Sequence, residues 1–96
     1  MQPHELEVVK WLASDEKYKN IKTILNIGVN VDPRRNDIDL VHRLFQNREV
    51  EISHLEIYEP YVKNGPSKYP KAKFYLGDVR EVDKISEKFD LIFCLI

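Results

Sequence analysis

The sequence contains few of the residues that form disulfide frameworks and no long apolar run of the kind that forms a membrane-spanning helix. Its 96 residues include a single cysteine, Cys94, so a disulfide framework and a thiolate zinc site are both excluded within one chain. No apolar run approaches the roughly 18 residues that a membrane-spanning helix requires. Residues 1–7 are polar and acidic, unlike a signal peptide. These absences predict a soluble, cytoplasmic protein.

An excess of charge of one sign is also lacking. The 15 Lys and Arg residues nearly balance the 16 Asp and Glu residues, and the two signs are interspersed along the chain. Because nucleic-acid-binding domains usually carry a basic patch or stripe, nucleic acid is not indicated as the main partner. A chain of this length forms one domain at most, with a thin hydrophobic core.

Hydrophobic periodicity predicts alternating helices and strands. Apolar residues at helical spacing favour a helix over residues 3–17, so we divide the chain into an amino-terminal helical segment, 1–20, and an α/β domain, 21–96. Strands are predicted at 21–28, 50–59, 71–76 and 90–96, and helices at 36–47 and 81–88. Three prolines and one glycine predict that residues 60–70 are mostly loop. This order favours a mostly parallel open sheet with flanking helices.

Chemistry-bearing residues fall just after three of the predicted strands. They are Gly28, Glu59 and the pair Gly77-Asp78. In an open parallel sheet the carboxyl ends of the strands lie side by side, and ligands bind in the crevice above them. A glycine lets the backbone approach a ligand, while carboxylates can accept hydrogen bonds from ribose hydroxyls or an adenine amino group. The pattern therefore favours a nucleotide-like ligand.

Four segments resemble the motifs of the class I, Rossmann-like S-adenosylmethionine-dependent methyltransferases. They are residues 24–28 (ILNIG), 55–60 (LEIYEP), 75–79 (YLGDV) and 89–94 (FDLIFC). The resemblance covers about residues 21–96 and corresponds to the amino-terminal half of that fold. It implies an α/β fold with four strands in the order 3-2-1-4, and S-adenosylmethionine as the cofactor.

The resemblance also implies which residues bind the cofactor. The turn at Gly28 would pass under the methionine part, Glu59 would hold the ribose hydroxyls, and Asp78 with Val79 would contact the adenine. The full implied set is Asn26, Gly28, Val29, Asn30, Glu59, Pro60, Gly77, Asp78 and Val79. No catalytic residue and no metal ligand are identified.

An alternative is a methyltransferase-like binding or assembly module that has lost cofactor binding. Asn26 stands where the family usually has an acidic residue, and Asn30 and Asp32 stand where it has further glycines. Asp78 can also simply cap the helix that follows it. Receiver-like and dinucleotide-binding domains fit less well, since the former need an acidic cluster and the latter a fuller glycine pattern.

The fourth predicted strand contains the last residue, Ile96. A strand that is apolar on both faces is typical of the centre of a parallel sheet. We therefore expect an apparently truncated domain, in which residues 91–96 pair with another chain or with a missing continuation. The methyl acceptor is not identified by these residues.

Overall fold

A computed structural model describes residues 7, 10, 11, 14, 16, 19–28 and 37–95, except for the side chains of residues 37 and 95. The regular elements in chain order are β1 (Thr23–Gly28), α1 (Asp37–Leu44), β2 (Glu51–Glu56), α2 (Glu59–Lys68), β3 (Lys73–Leu76), a 3₁₀ helix (Val79–Lys84) and β4 (Leu91–Leu95). Residues 7, 10, 11 and 14 are helical. Most of the helix predicted for residues 3–17 lies outside the described residues.

The four strands form one sheet in the order β3-β2-β1-β4, and every pair of neighbours is parallel. This confirms the predicted α/β, Rossmann-like architecture and its strand order. The chain winds from β1 to β3 in one direction and then returns to place β4 on the other side of β1. The sheet therefore has a topological switch point between β1 and β4.

Asp90 fixes the register between the two strands at the switch point. One oxygen of its carboxylate accepts hydrogen bonds from the backbone N–H groups of Lys22, at 2.7 Å, and Thr23, at 3.2 Å. The Asp90 N–H donates in turn to the Thr23 hydroxyl at 2.9 Å. Asp90 thus ties the start of β4 to the start of β1.

Side chains alternate between the two faces of the sheet, as the strand period of two residues requires. On one face an apolar cluster packs against α1 and consists of Ile24, Val41, Phe45, Ile52 and Phe93. On the other face Leu25, Ile27 and Leu55 are covered by Tyr75, Val82, Ile85 and Phe89. Burying each large apolar side chain stabilises the fold by roughly 1.5–3 kcal/mol.

The prediction of a loop at residues 60–70 is wrong, because α2 occupies Glu59–Lys68. Pro60 stands in its first turn, where a missing N–H costs nothing. Gly65 packs so closely on the sheet that an added Cβ would lie 2.3 Å from the ring of Phe74. Tertiary packing thus holds a helix despite Pro66 in its interior.

Two further boundaries differ from the prediction. β2 ends at Glu56 instead of residue 59, since Tyr58 is already the extended N-cap of α2. The helix predicted at 81–88 is a 3₁₀ helix that begins at Val79 and ends at Lys84. Val82, Ile85 and Phe89 nevertheless pack together against the sheet. The apolar pattern therefore identified the buried face, although not the type of helix.

Within the ranges described above, no helix is long and apolar enough to cross a membrane.

Candidate functional site at the carboxyl edge of the sheet

The carboxyl ends of β1, β2 and β3 meet at one edge of the sheet. Gly28 lies opposite Glu56 in the β1–β2 register, and the Gly77 N–H donates to the Glu56 carbonyl at 2.8 Å. Two of the residues expected there from the sequence, Gly28 and Gly77, are thereby brought to the same edge. We call this region the carboxyl edge and define it by Gly28, Glu56 and Gly77.

Glu56 is a feature of the carboxyl edge that the sequence analysis missed. Its side chain is only 3% exposed, and an added Cβ on Gly28 would lie 2.3 Å from Glu56 Oε2. The carboxylate therefore lies directly across the Gly28 backbone. The sequence pattern predicts a strand that continues to residue 59, which makes Glu56 an internal residue of the predicted strand. The available signal was an acidic residue between the apolar residues Leu55 and Ile57.

Glu59 and Pro60 lie in the first turn of α2, three and four residues beyond the end of β2, and both are exposed. The N-cap residue, Tyr58, makes no side-chain capping bond. A carboxylate in the first turn interacts favourably with the positive end of the helix dipole. Glu59 thus combines an exposed negative charge with a position just beyond β2.

The Asp78 side chain has intramolecular partners. It accepts from the Arg80 N–H at 2.8 Å and from the Arg80 guanidinium at 2.7 Å, and Glu81 completes a capping box with the Asp78 N–H. The hydrogen bonds from the Arg80 side chain and backbone hold the pKa of Asp78 below its usual value. Asp78 therefore caps the 3₁₀ helix, as one of the interpretations of the sequence expected. Val79, the next residue, is 41% exposed.

Asn26 is directed away from the carboxyl edge, into the interior. It is 1% exposed, and its Nδ2 atom lies 3.2 Å from Nδ1 of His54, which is itself fully buried. His54 in turn places Nε2 at 2.9 Å from Nε2 of His42 on α1. Burial, and next the neighbouring His42, lower the pKa of His54 to about 3, so it is neutral at physiological pH.

Not every implied cofactor-binding residue can be placed. Val29 and Asn30, and Asp32 where a family glycine was expected, lie outside the described residues. Among the residues that are described, no group of three or more His, Cys, Asp or Glu side chains is arranged to hold a metal ion. A surface cavity of about 1020 Å³ lies at the opposite, amino edge of the sheet, beside Thr23, Glu51 and His42.

Comparison with known proteins adds no assignment. No protein-family model matches the chain, and neither a curated protein nor a solved structure is significantly similar to it. The features that bear on function are therefore the geometry of the carboxyl edge and the motif resemblance.

Proposed function

We propose that this chain is the cofactor-binding half of a cytoplasmic, S-adenosylmethionine-dependent methyltransferase of class I. The observation that carries the proposal is the winding of the sheet. All four strands are parallel in the order β3-β2-β1-β4, with the switch point beside the carboxyl end of β1. In such sheets the crevice at the switch point is the usual place for a nucleotide-like ligand.

The residues at the carboxyl edge offer chemistry that suits this cofactor. Gly28 has no side chain and lies at the end of β1, and the Glu56 carboxylate covers the side of the backbone from which a Cβ would project, so a ligand would approach Gly28 past the end of the strand. Glu59 presents an exposed carboxylate that can accept both ribose hydroxyls, and Glu56 is a second, buried carboxylate at the end of β2. Val79 offers an exposed apolar surface for the adenine ring.

Methyl transfer from a sulfonium needs little acid–base chemistry from the protein. The methyl group is already activated, so the protein mainly holds it in line with the acceptor. We therefore assign binding and orientation to these residues. The acceptor would be positioned by residues beyond those placed at the carboxyl edge.

The experiment that tests this proposal is an amide NMR titration of the chain with S-adenosylmethionine. Shifts at Gly28, Glu59 and Gly77–Val79 are expected. Glu59→Gln should weaken binding by about tenfold or more, because a hydrogen bond to a charged group is worth roughly 1.5–3 kcal/mol. Glu51→Gln is the matched control, since Glu51 is also exposed but lies at the amino end of β2. A dispersed spectrum without shifts at millimolar cofactor contradicts the proposal.

Two observations favour the alternative, a binding or assembly module without cofactor. Two polar side chains implied in cofactor binding, Asn26 and Asp78, already have intramolecular partners. On β4, Ile92 is 50% exposed and Cys94 is exposed, so a partner chain could cover this strand. If the chain is such an assembly module, sedimentation velocity should show the same oligomeric state for Glu59→Gln as for the wild type. Ile92→Lys should shift the protein toward the monomer.

A further inference from the structure

A continuous chain of polar side chains runs from the centre of the sheet to α1. It consists of Asn26 on β1, His54 on β2 and His42 on α1, joined by contacts of 3.2 Å and 2.9 Å. Asn26 and His54 are buried, whereas His42 is only partly buried. A buried polar group without a hydrogen bond is costly, so the Asn26–His54 contact helps to hold β1 beside β2, and the His42–His54 contact helps to seat α1 on the sheet. We call these three residues the histidine network.

The chemistry of the amide fixes the direction of the network. The Nδ2 group of Asn26 can only donate, so Nδ1 of His54 accepts from it. The neutral His54 ring then carries its proton on Nε2 and donates to Nε2 of His42. His42 must accept at that atom, and its own proton lies on Nδ1. Every donor in the network therefore points from β1 toward α1.

The surroundings of His54 make a positive charge there unfavourable. Phe74 of β3 stacks on its ring at 4.9 Å, and His42 approaches from α1. Glu56, two residues along β2 on the same face, is the nearest acidic residue in sequence, and its carboxylate is directed over Gly28. His54 thus has uncharged groups on β1, β3 and α1 around its ring.

The surroundings of His42 are different, because charge can be tolerated there. Its ring stacks on Tyr69 at 3.8 Å, and the Tyr69 hydroxyl donates to the Asp39 carboxylate, which also pairs with Lys68 at 2.9 Å. Burial lowers the pKa of His42, and the negative charge of Asp39 opposes that effect. The amino-edge cavity reaches His42, and the charged groups on its walls are Lys22, Arg48, Glu49, Glu51 and Lys71. A second cavity beside His42 is lined by Arg43 as well as by Asp39 and Lys68.

We propose that the histidine network is a proton-responsive switch, in which uptake of one solvent proton reverses the direction of both hydrogen bonds. In the protonated state His42 carries protons on both ring nitrogens and donates from Nε2 to Nε2 of His54. The His54 proton then lies on Nδ1 and is donated to Oδ1 of Asn26, whose amide has turned by 180°. The two rings hold two ring protons before the step and three after it, which accounts for the single proton taken up.

The switch accepts one proton and not a second. With two protonated rings, both Nε2 atoms would be donors, and at 2.9 Å neither could accept from the other. The first proton therefore preserves the contact between α1 and β2, whereas a second breaks it. The reorientation takes place at Asn26 in the interior, between β1 and β2.

The test is to follow the ring nitrogens of ¹⁵N-histidine-labelled protein by long-range NMR correlations between about pH 7.5 and about pH 5, the range in which histidine ordinarily titrates. His4→Gln assigns the signals of the third histidine. We expect His54 to change from the Nε2–H to the Nδ1–H tautomer as His42 becomes doubly protonated, while the amide spectrum stays dispersed. The side-chain NH₂ signals of Asn26 should shift with the same midpoint.

Two variants separate a switch from a merely structural network. In His42→Gln the amide at position 42 can still accept from His54 but does not titrate, so His54 should keep its Nε2–H tautomer at both pH values. In Asn26→Asp the carboxylate can only accept, so His54 should carry its proton on Nδ1 at both. The proposal is overturned if the wild-type His54 tautomer is unchanged when His42 protonates. Loss of amide dispersion before any tautomer change also overturns it.

Discussion

The two faces of the sheet bury different kinds of side chain. On the face opposite α1, Leu25, Ile27 and Leu55 are covered by apolar side chains from the segment after β3. On the face beneath α1 and α2, the buried residues change from apolar to polar along the strands. The buried pairs there are Ile24 with Ile52, then Asn26 with His54, and finally Gly28 with Glu56.

The difference separates a face that is stabilised by apolar packing from a face on which stability also depends on buried hydrogen bonds. Apolar burial is insensitive to pH and tolerates volume-conserving exchange. A buried polar pair, by contrast, has to be fully satisfied and depends on protonation state. The polar half of the helix-covered face ends at the carboxyl edge, where a Rossmann-like sheet binds its ligands. The polarity of the buried residues on β1 and β2 therefore increases toward the candidate site.

The largest effect expected from the buried polar side chains is a pH dependence of stability that originates on the helix-covered face. His54 takes up a proton at its ordinary pKa of 6.5 when the chain is unfolded, but burial lowers this pKa to about 3 in the folded protein. Between these values the unfolded state binds more protons, so the free energy of unfolding falls as the pH falls. The slope is roughly 1.4 kcal/mol per pH unit for one histidine. Urea denaturation at about pH 7 and about pH 5 measures it.

A matched pair of variants tests whether this dependence belongs to one face. His54→Gln keeps an amide that can accept from Asn26 and donate to His42, so the pH slope should flatten. Leu25→Ala should lower the free energy of unfolding by about 2–5 kcal/mol through cavity formation. That loss should be nearly equal at both pH values. An undiminished slope in His54→Gln would mean that the titrating groups lie elsewhere.

A smaller effect is expected from Gly28→Ala at the carboxyl edge. The new methyl group would lie 2.3 Å from Glu56 Oε2 and would push a buried carboxylate out of place. We expect a loss of roughly 1–3 kcal/mol in the free energy of unfolding, typical of overpacking. In a Glu56→Ala background the same substitution should cost much less, because the obstructing carboxylate is gone.

Gly65→Ala is the control for this double-mutant cycle. Its added methyl group would lie 2.3 Å from the Phe74 ring and not near Glu56. The cost of Gly65→Ala should therefore be unchanged by Glu56→Ala, since substitutions without a shared partner are usually additive. If Glu56→Ala reduced the cost of Gly28→Ala and of Gly65→Ala by the same free energy, Glu56 would affect packing across the whole helix-covered face and not at Gly28 alone.

The architecture was predictable because its signals are local and redundant. The apolar runs predicted the strands β1 and β4, and their parallel pairing in the order 3-2-1-4, which the family resemblance implied, is confirmed. β4 was predicted to be a central strand, but within the described residues it lies at the edge of the sheet. α2 was missed because its prolines and Gly65 are individually typical of loops. What overrides them is the contact of Gly65 with Phe74, between residues nine positions apart that belong to different elements. Such a contact depends on tertiary structure that local patterns do not contain.

The candidate site was predictable only in part. The position of Gly28 and Gly77 at one edge followed from the strand ends. Glu56 was missed because a shift of three residues at the end of β2 changes which carboxylate is the last of the strand. The His42–His54 contact could not be predicted either, because it joins a helix to a strand 12 residues later through side-chain orientation. Helical periodicity places His42 beside the apolar stripe of α1, but it does not predict that His54 is the residue that His42 contacts.

The smallest expected effect concerns the segment that covers the apolar face. Asp78 caps the 3₁₀ helix that carries Val82 to the sheet, and the cap includes its bond from the Arg80 N–H. Asp78→Ala should lower the thermal midpoint by a few degrees at most, because a lost cap frays a short helix but leaves Val82, Ile85 and Phe89 able to pack. Asp78→Asn keeps an oxygen that can accept from the Arg80 N–H and should retain most of the midpoint. If both variants lower it equally, the charge pair with Arg80 matters more than the cap, and the apolar face depends on electrostatics as the helix-covered face does.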